Sequence, residues 1–183
     1  MKEEYDDTRD EIMHSWFKRG EKALLEENIF EAFIYLWISW VVACKKSNDF
    51  NYSNEFRYKK DENDREEVKL FCINHRDEIN EILNNHKTSL AYLANRKGSK
   101  FKNPIIDASE RQREIFLALS RDINGEIDLT VRQRAEYVAE LINRVRNNLF
   151  HGDKIYNDIE DRELIRNTVF ILRDFAKLAV DRY

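Results

Sequence analysis

The sequence predicts an all-α protein, a bundle of about five to seven helices with no sheet, and three observations carry that expectation. The chain has 4 Gly and 1 Pro in 183 residues, so turns are few and the long intervals between them suit helices rather than closely spaced strands. Apolar residues recur at steps of three and four over most of the length. Residues that cap helices stand where those periodic stretches begin. With 42% hydrophobic and 12% aromatic residues, there is core material for one domain over residues 1–183. A chain of this size buries roughly 70% of its unfolded surface, so neither a disulfide nor a metal is required to hold it together.

The first helix is expected from about Asp10 to Glu26, with Ile12, Trp16, Ala23 and Leu24 on its buried stripe and Gly20 inside it, at a cost of ~1 kcal/mol relative to alanine. Asn28, with Glu31 three residues on, opens a second helix over Ile29 to about Ser47. Its Phe33, Leu36, Trp37, Trp40, Val41 and Cys44 lie at the helical period. Asp49 to Lys60 mixes Phe50, Tyr52, Phe56 and Tyr58 with polar residues and has no sustained period, which reads as a loop or short helix over the core edge. Val68, Phe71, Cys72, Ile79, Ile82 and Leu83 predict a third helix from about Asn63 to Asn85, and a short amphipathic stretch follows at Leu90 to Leu93. Lys87 to Lys102 holds Lys87, Arg96, Lys97, Lys100 and Lys102 and no acid, and is read as a mobile basic connector ending near Pro104.

Asp107 with Glu110 starts another helix to about Arg121, and Asn124-Gly125 marks a turn. Thr130 with Gln133 opens the best-defined helix. Val131, Ala135, Val138, Ile142, Val145 and Leu149 form a seam along it, and His151-Gly152 ends it. The last helix, from about Asp158 to Arg182, buries Leu164, Thr168, Ile171, Leu172, Phe175 and Ala179 by the same spacing.

Composition excludes several function classes. A net charge of −4 argues against a general polyelectrolyte binder. The first eleven residues carry more acids than bases, the opposite of an export signal. The longest apolar run, Ala32 to Cys44, falls well short of the ~20 residues that span a bilayer. Cys44 and Cys72 form no C-x-x-C pattern and read as buried, reduced thiols, so a cytoplasmic location is expected. His14, His75, His86 and His151 show no metal-ligand spacing, and Glu66-Glu67-Val68-Lys69 reads as a solvated helix face rather than the end of a nuclease metal site. No glycine-rich phosphate loop and no G-x-S-x-G elbow occur. No cofactor is expected.

The informative segment is Val145-Arg146-Asn147-Asn148-Leu149-Phe150-His151-Gly152, where the long amphipathic helix runs into a turn. An R-x4-H spacing alone is expected roughly 0.4 times by chance in such a chain. Its context discriminates: the arginine follows a core valine, an asparagine follows the arginine, and the histidine stands beside a glycine. Taken alone, these residues read equally as a surface cation, turn formers and a helix-ending histidine.

This segment resembles the R-x4-6-H motif of the HEPN superfamily of small α-helical domains, in which a polar residue often follows the arginine. The order of elements is similar too, with a hydrophobic early helix at Ile34-Tyr35-Leu36-Trp37-Ile38, the motif late in the chain and one more helix after it. The resemblance implies an up-and-down bundle, a homodimer that brings two motifs face to face, and metal-independent endoribonuclease activity of toxin or antiviral-defence type. It equally admits a non-catalytic binding or regulatory module engaging a nucleotide, RNA or a partner protein. Toxins of the family controlled by a nucleotidyltransferase antitoxin extend the motif to H-x-Y. Here Asp153 occupies the tyrosine position and the next tyrosine is Tyr156, which argues against that class of antitoxin and leaves another operon partner open.

Chemistry supports the assignment of roles. Cutting RNA without a metal needs a base for the 2′-hydroxyl proton, an acid for the leaving 5′-oxygen, and cations for the charged phosphorane. His151 titrates near neutrality, and Arg146 offers a fixed fork of donors to phosphate oxygens. A two-fold dimer would supply two of each in one cleft. Asn147, at the family's polar position, is the third candidate catalytic residue. Asn148, Arg144, Lys154, Lys97 and Lys100 are candidate RNA contacts, whereas Arg132 and Arg134 read as a solvated face. Trp16, Trp37 and Trp40 read as core.

Overall fold

The computed structural model describes residues 2–51, 63–95, 110–150 and 159–182. Its described residues form eight α-helices and no strand: α1 (Lys2–Leu25), α2 (Ile29–Asn51), α3 (Asp64–Asn74), α4 (Arg76–Asn85), α5 (Lys87–Asn95), α6 (Glu110–Ile123), α7 (Val131–Phe150) and α8 (Ile159–Val180). The all-α bundle follows from the sequence as expected. The helix count is higher because the stretch predicted as one helix over 63–85 is two, broken at His75, and because α5 occupies the first nine residues of the predicted basic connector.

The chain leaves helical geometry at His75 and again at His86, and at His86 a tertiary contact holds the turn. Each residue leaves helical geometry, at φ −112°, ψ 31° and φ −110°, ψ 25°, without any glycine or proline nearby. The His75 ring packs on Phe71 one turn back in α3, at 4.4 Å between centroids, a contact an unbroken helix also makes, whereas His86 Nε2 lies 2.6 Å from Asp174 Oδ2 on α8. With the chain turned at these two residues, α4 packs on α7 and α8, and α5 on α6 and α8.

The core is built around α2 and α8. Phe33, Leu36, Trp37, Trp40, Val41 and Cys44 of α2 are all buried, as are the six α8 residues named from the sequence. Trp40 sits 5.6 Å from both the Trp37 and Phe175 rings. Helix α1 is longer than expected and rotated. It buries Met13, Gly20 and Ala23, leaves Ile12 exposed, and keeps Trp16 half-buried against Tyr35 at 5.3 Å. The reason is Gly20: a Cβ there would stand 2.6 Å from Leu36 Cγ, so the glycine face of α1 is the one pressed against α2. Helix α1 ends with Glu27 at φ 58°, while the Asn28 N–H donates to Ala23 O at 2.8 Å, the left-handed closure usually given to glycine. Helix α2 runs on to Asn51, through the start of the segment read as a loop; the rest of that segment lies outside the described residues.

Helix α7 begins with a reciprocal capping box. The Gln133 N–H donates to Thr130 Oγ1 at 3.2 Å, and the Thr130 N–H donates to Gln133 Oε1 at 3.0 Å. Upstream, Gly125 takes φ 74° in the turn after α6. Arg134 is not the solvated cation expected: its Nε and Nη2 donate to the two oxygens of Asp122 at 2.9 and 3.0 Å, and its Nη1 donates to Asn80 Oδ1 at 2.8 Å. Asp122 also accepts from the Leu129 N–H at 2.8 Å. One guanidinium thereby joins α4, α6 and α7. No described helix is long and apolar enough to cross a membrane.

Candidate active site around Arg146

The seam of α7 faces the core through Ala135, Val138, Ile142 and Val145. One strip over, Glu136, Glu140, Asn143 and Asn147 repeat at the same helical spacing but carry polar groups. Helix α3 packs on that strip and runs antiparallel to α7. Lys69 Nζ lies 2.8 Å from Glu136 Oε1, and one turn back Arg65 meets Glu140, one turn further along α7. Arg65 Nε is 2.9 Å from both carboxylate oxygens and Nη2 is 2.7 Å from Oε1. Glu140 is 2% exposed, so this forked pair carries the desolvation of a buried carboxylate. The hydrogen bond to Glu140 raises the Arg65 pKa above its already high value.

At the end of this ladder sits Arg146. Its guanidinium carbon lies 5.4 Å from the Trp37 ring centroid and 4.8 Å from that of Phe150, within range of a cation–π attraction. Its Nη1 donates to Asn147 Oδ1 at 2.9 Å. Its Nη2 is 3.6 Å from Asp64 Oδ2, too far for a hydrogen bond, and Asp64 is more closely engaged by Lys45 Nζ at 2.8 Å. Nε of Arg146 is buried with no hydrogen-bond partner among the described residues. The guanidinium is thus fixed in place by rings and by its neighbour while part of its donor set is unspent.

Arg146 and Asn147 line a cavity of about 500 Å³ together with Asn63, Asp64, Arg65 and Asn143. Asn63 is there because its Oδ1 accepts from the Glu66 N–H at 3.2 Å and caps α3. A smaller cavity of about 250 Å³ lies between Leu83, Lys87, Asp122 and Arg134, where each guanidinium nitrogen of Arg134 already donates to Asp122 or Asn80.

Of the residues singled out from the sequence, Arg146 and Asn147 come together at this cavity. Asn148 faces inward and is 5% exposed, Arg144 is half-buried, and Trp37 is core on one side and a platform for Arg146 on the other. His151, Lys154, Lys97 and Lys100 lie outside the described residues, as do Gly152 and the Asp107 cap. Lys45, Asp64, Arg65, Glu140 and Asn143 were not foreseen. The spacing of Glu136, Glu140, Asn143 and Asn147 is the signal that could have found some of them, since a polar strip beside a seam is where a second helix can bury charge. Among the described residues, no group of three or more His, Cys, Asp or Glu side chains could hold a metal ion. The chain matches no protein-family model, no curated protein and no solved structure.

Proposed function

We propose that this protein is a metal-independent endoribonuclease of toxin or defence type, acting in the cytoplasm, whose active site is built from the Arg146 to His151 segment of two protomers. The observation that carries the reading is Arg146 itself: a guanidinium pinned by Trp37, Phe150 and Asn147 at the edge of a polar cavity, with a buried Nε that has no partner. A phosphate oxygen is the acceptor such a fork fits best. The likeness of the segment to the HEPN motif supplies the second group, His151, immediately after Phe150 in the sequence.

In this mechanism His151 of one protomer takes the proton of the 2′-hydroxyl. The 2′-oxygen then attacks phosphorus, and the partner's His151 gives a proton to the departing 5′-oxygen. Arg146 stabilises the negative phosphorane between those steps, and Asn147 holds its guanidinium in register through the Nη1 bond. Two large apolar side chains, Phe150 within the motif segment at 48% exposure and Ile159 beyond it at 78%, suit burial against a second copy. An operon-encoded inhibitor would find the same face. A non-catalytic nucleotide- or RNA-binding module is the second reading, favoured by the Asp64 carboxylate that already stands beside Arg146.

The test is cleavage of a mixed RNA pool in excess chelator by the wild type and by His151→Ala, with the mass of each in solution measured by light scattering. The proposal expects dimers of both and cutting by the wild type alone. Binding without cutting would favour the module, and cutting that needs an added metal would remove the mechanism.

A further inference from the structure

Cleavage chemistry gives no part to Asp64, the one carboxylate among the six residues that line the 500 Å³ cavity. It stands beside Arg146 without closing on it. Lys45 Nζ lies 2.8 Å from Asp64 Oδ1, while Trp37, Phe150 and Asn147 hold the guanidinium. Arg146 Nη2 and Asp64 Oδ2 therefore stay 3.6 Å apart, beyond a hydrogen bond. Asp64 Oδ2 accepts no hydrogen bond from any described residue, and a carboxylate can only accept. Asn63 and Asn147 have spent their carbonyl oxygens, on the Glu66 N–H and on Arg146 Nη1, so their remaining side-chain groups are donors. An opposite pair held open in this way presents a donor and an acceptor side by side.

The ligand that fits this pair brings an anionic oxygen to Arg146 and a hydroxyl to Asp64. A sugar phosphate carries both. A base, by contrast, is held by a ring on which it stacks, and none of the six lining residues is apolar or aromatic. Lys45 answers the charge of Asp64, so a phosphate on Arg146 does not meet a bare carboxylate. In a strand of RNA each 3′-oxygen carries the next phosphate, which leaves the 2′-hydroxyl as the donor of the sugar. The 2′-hydroxyl that His151 deprotonates belongs to the sugar on the attacking side of the phosphate; the sugar on the leaving side keeps its own. We infer that Asp64 reads the 2′-hydroxyl of that leaving-side nucleotide, which makes the cavity between the start of α3 and the C-terminal half of α7 a ribose subsite that prefers RNA to DNA. The inference rests on Arg146 being the phosphate-binding residue proposed above, and it adds the residue that selects the sugar.

The experiment titrates the full chain, labelled with ¹³C at the aspartate side-chain carboxyls, with adenosine 5′-monophosphate, its 2′-deoxy and 3′-deoxy counterparts, and inorganic phosphate, followed by nuclear magnetic resonance. The adenosine and 3′-deoxy compounds should bind at least about tenfold more tightly than the 2′-deoxy compound, the loss expected for one hydrogen bond to a charged group, and should move the Asp64 carboxyl resonance further. Asp64→Asn should erase the preference and leave phosphate binding no weaker, whereas a merely structural loss would weaken all four ligands alike. Should that variant fail to fold, the wild-type preference and the Asp64 resonance decide the matter. Equal binding of the ribose and 2′-deoxy compounds by the wild type, no binding of any of them, or a preference that survives in Asp64→Asn overturns the subsite. An overturned subsite in a protein that still cuts RNA leaves the ribonuclease reading standing. The expected preference in a protein that cuts no RNA keeps the subsite and removes that reading.

Discussion

Replacing Arg65 by alanine isolates the term that joins α3 to α7 beside the cavity. The perturbation leaves the Glu140 carboxylate, 2% exposed, without the three N···O contacts of 2.7 to 2.9 Å that compensate its burial. Breaking a fully buried ion pair by removing one partner costs about 3–5 kcal/mol. Arg65, however, is 39% exposed, so water enters its vacated place and solvates one edge of the carboxylate. The expected loss is therefore about 2–3 kcal/mol, below the fully buried case. With a urea m-value of about 2 kcal/mol/M, that lowers the unfolding midpoint by roughly 1–1.5 M at unchanged slope. The double variant Arg65→Ala/Glu140→Leu removes the stranded charge and should recover most of the loss. Equilibrium urea unfolding followed by circular dichroism makes the measurement. A midpoint shift under about 0.3 M for Arg65→Ala, or a double variant less stable than the single one, would refute the reasoning.

Three further outcomes are expected. Gly20→Ala gains up to ~1 kcal/mol of helix propensity but drives a Cβ to within 2.6 Å of Leu36 Cγ; overpacking costs about 1–3 kcal/mol, so thermal unfolding should show net destabilisation. Burial pushes the Asp174 carboxyl up, but the hydrogen bonds from His86 and Arg173 outweigh it and hold the pKa below the usual carboxylate value. A depressed carboxylate stabilises the fold above its unfolded pKa and loses that contribution as the pH falls, so the stability gap between wild type and Asp174→Asn should be full near pH 7 and close below about pH 4. Arg146→Ala should lower RNA cleavage by about 10²–10³-fold in single-turnover assays while keeping helical content, because the guanidinium packs at the edge of the core rather than within it.

The parts of this fold legible from the sequence are those where one helix carries both its own cap and a full apolar stripe. Helix α7 shows both, in Thr130/Gln133 and the Ala135 to Val145 seam, and α2 and α8 show stripes whose every named member is buried. The breaks at His75 and His86 were not legible, because neither residue ends a helix by its own nature; at His86 it is the distant Asp174 carboxylate that holds the turn, and for His75 no contact explains the break. The rotation of α1 was hidden for a similar reason. Ile12 and Trp16 lie on the stripe that the spacing picks out, yet the close approach that Gly20 permits leaves Ile12 exposed and Trp16 only half-buried. At the site, Arg146 and Asn147 stand in a recognisable motif. Asn143 lies on the polar strip beside the α7 seam, but Asp64 and Arg65 belong to no local pattern that separates them from an ordinary polar surface, and only the packing of α3 on α7 makes the three neighbours.

The central claim is that Arg146 and His151 act on an RNA phosphodiester through its own 2′-hydroxyl, and the most direct measurement of it is the chemistry of the cut ends. An oligoribonucleotide that the wild type cleaves in excess chelator, and its counterpart carrying a single 2′-deoxy sugar at the cut, would be incubated and the products analysed by mass spectrometry. The account predicts a 2′,3′-cyclic phosphate and a 5′-hydroxyl from the first and no cut at the substituted position of the second. Products ending in 3′-hydroxyl and 5′-phosphate, or equal cutting of the deoxy-substituted strand, would contradict it.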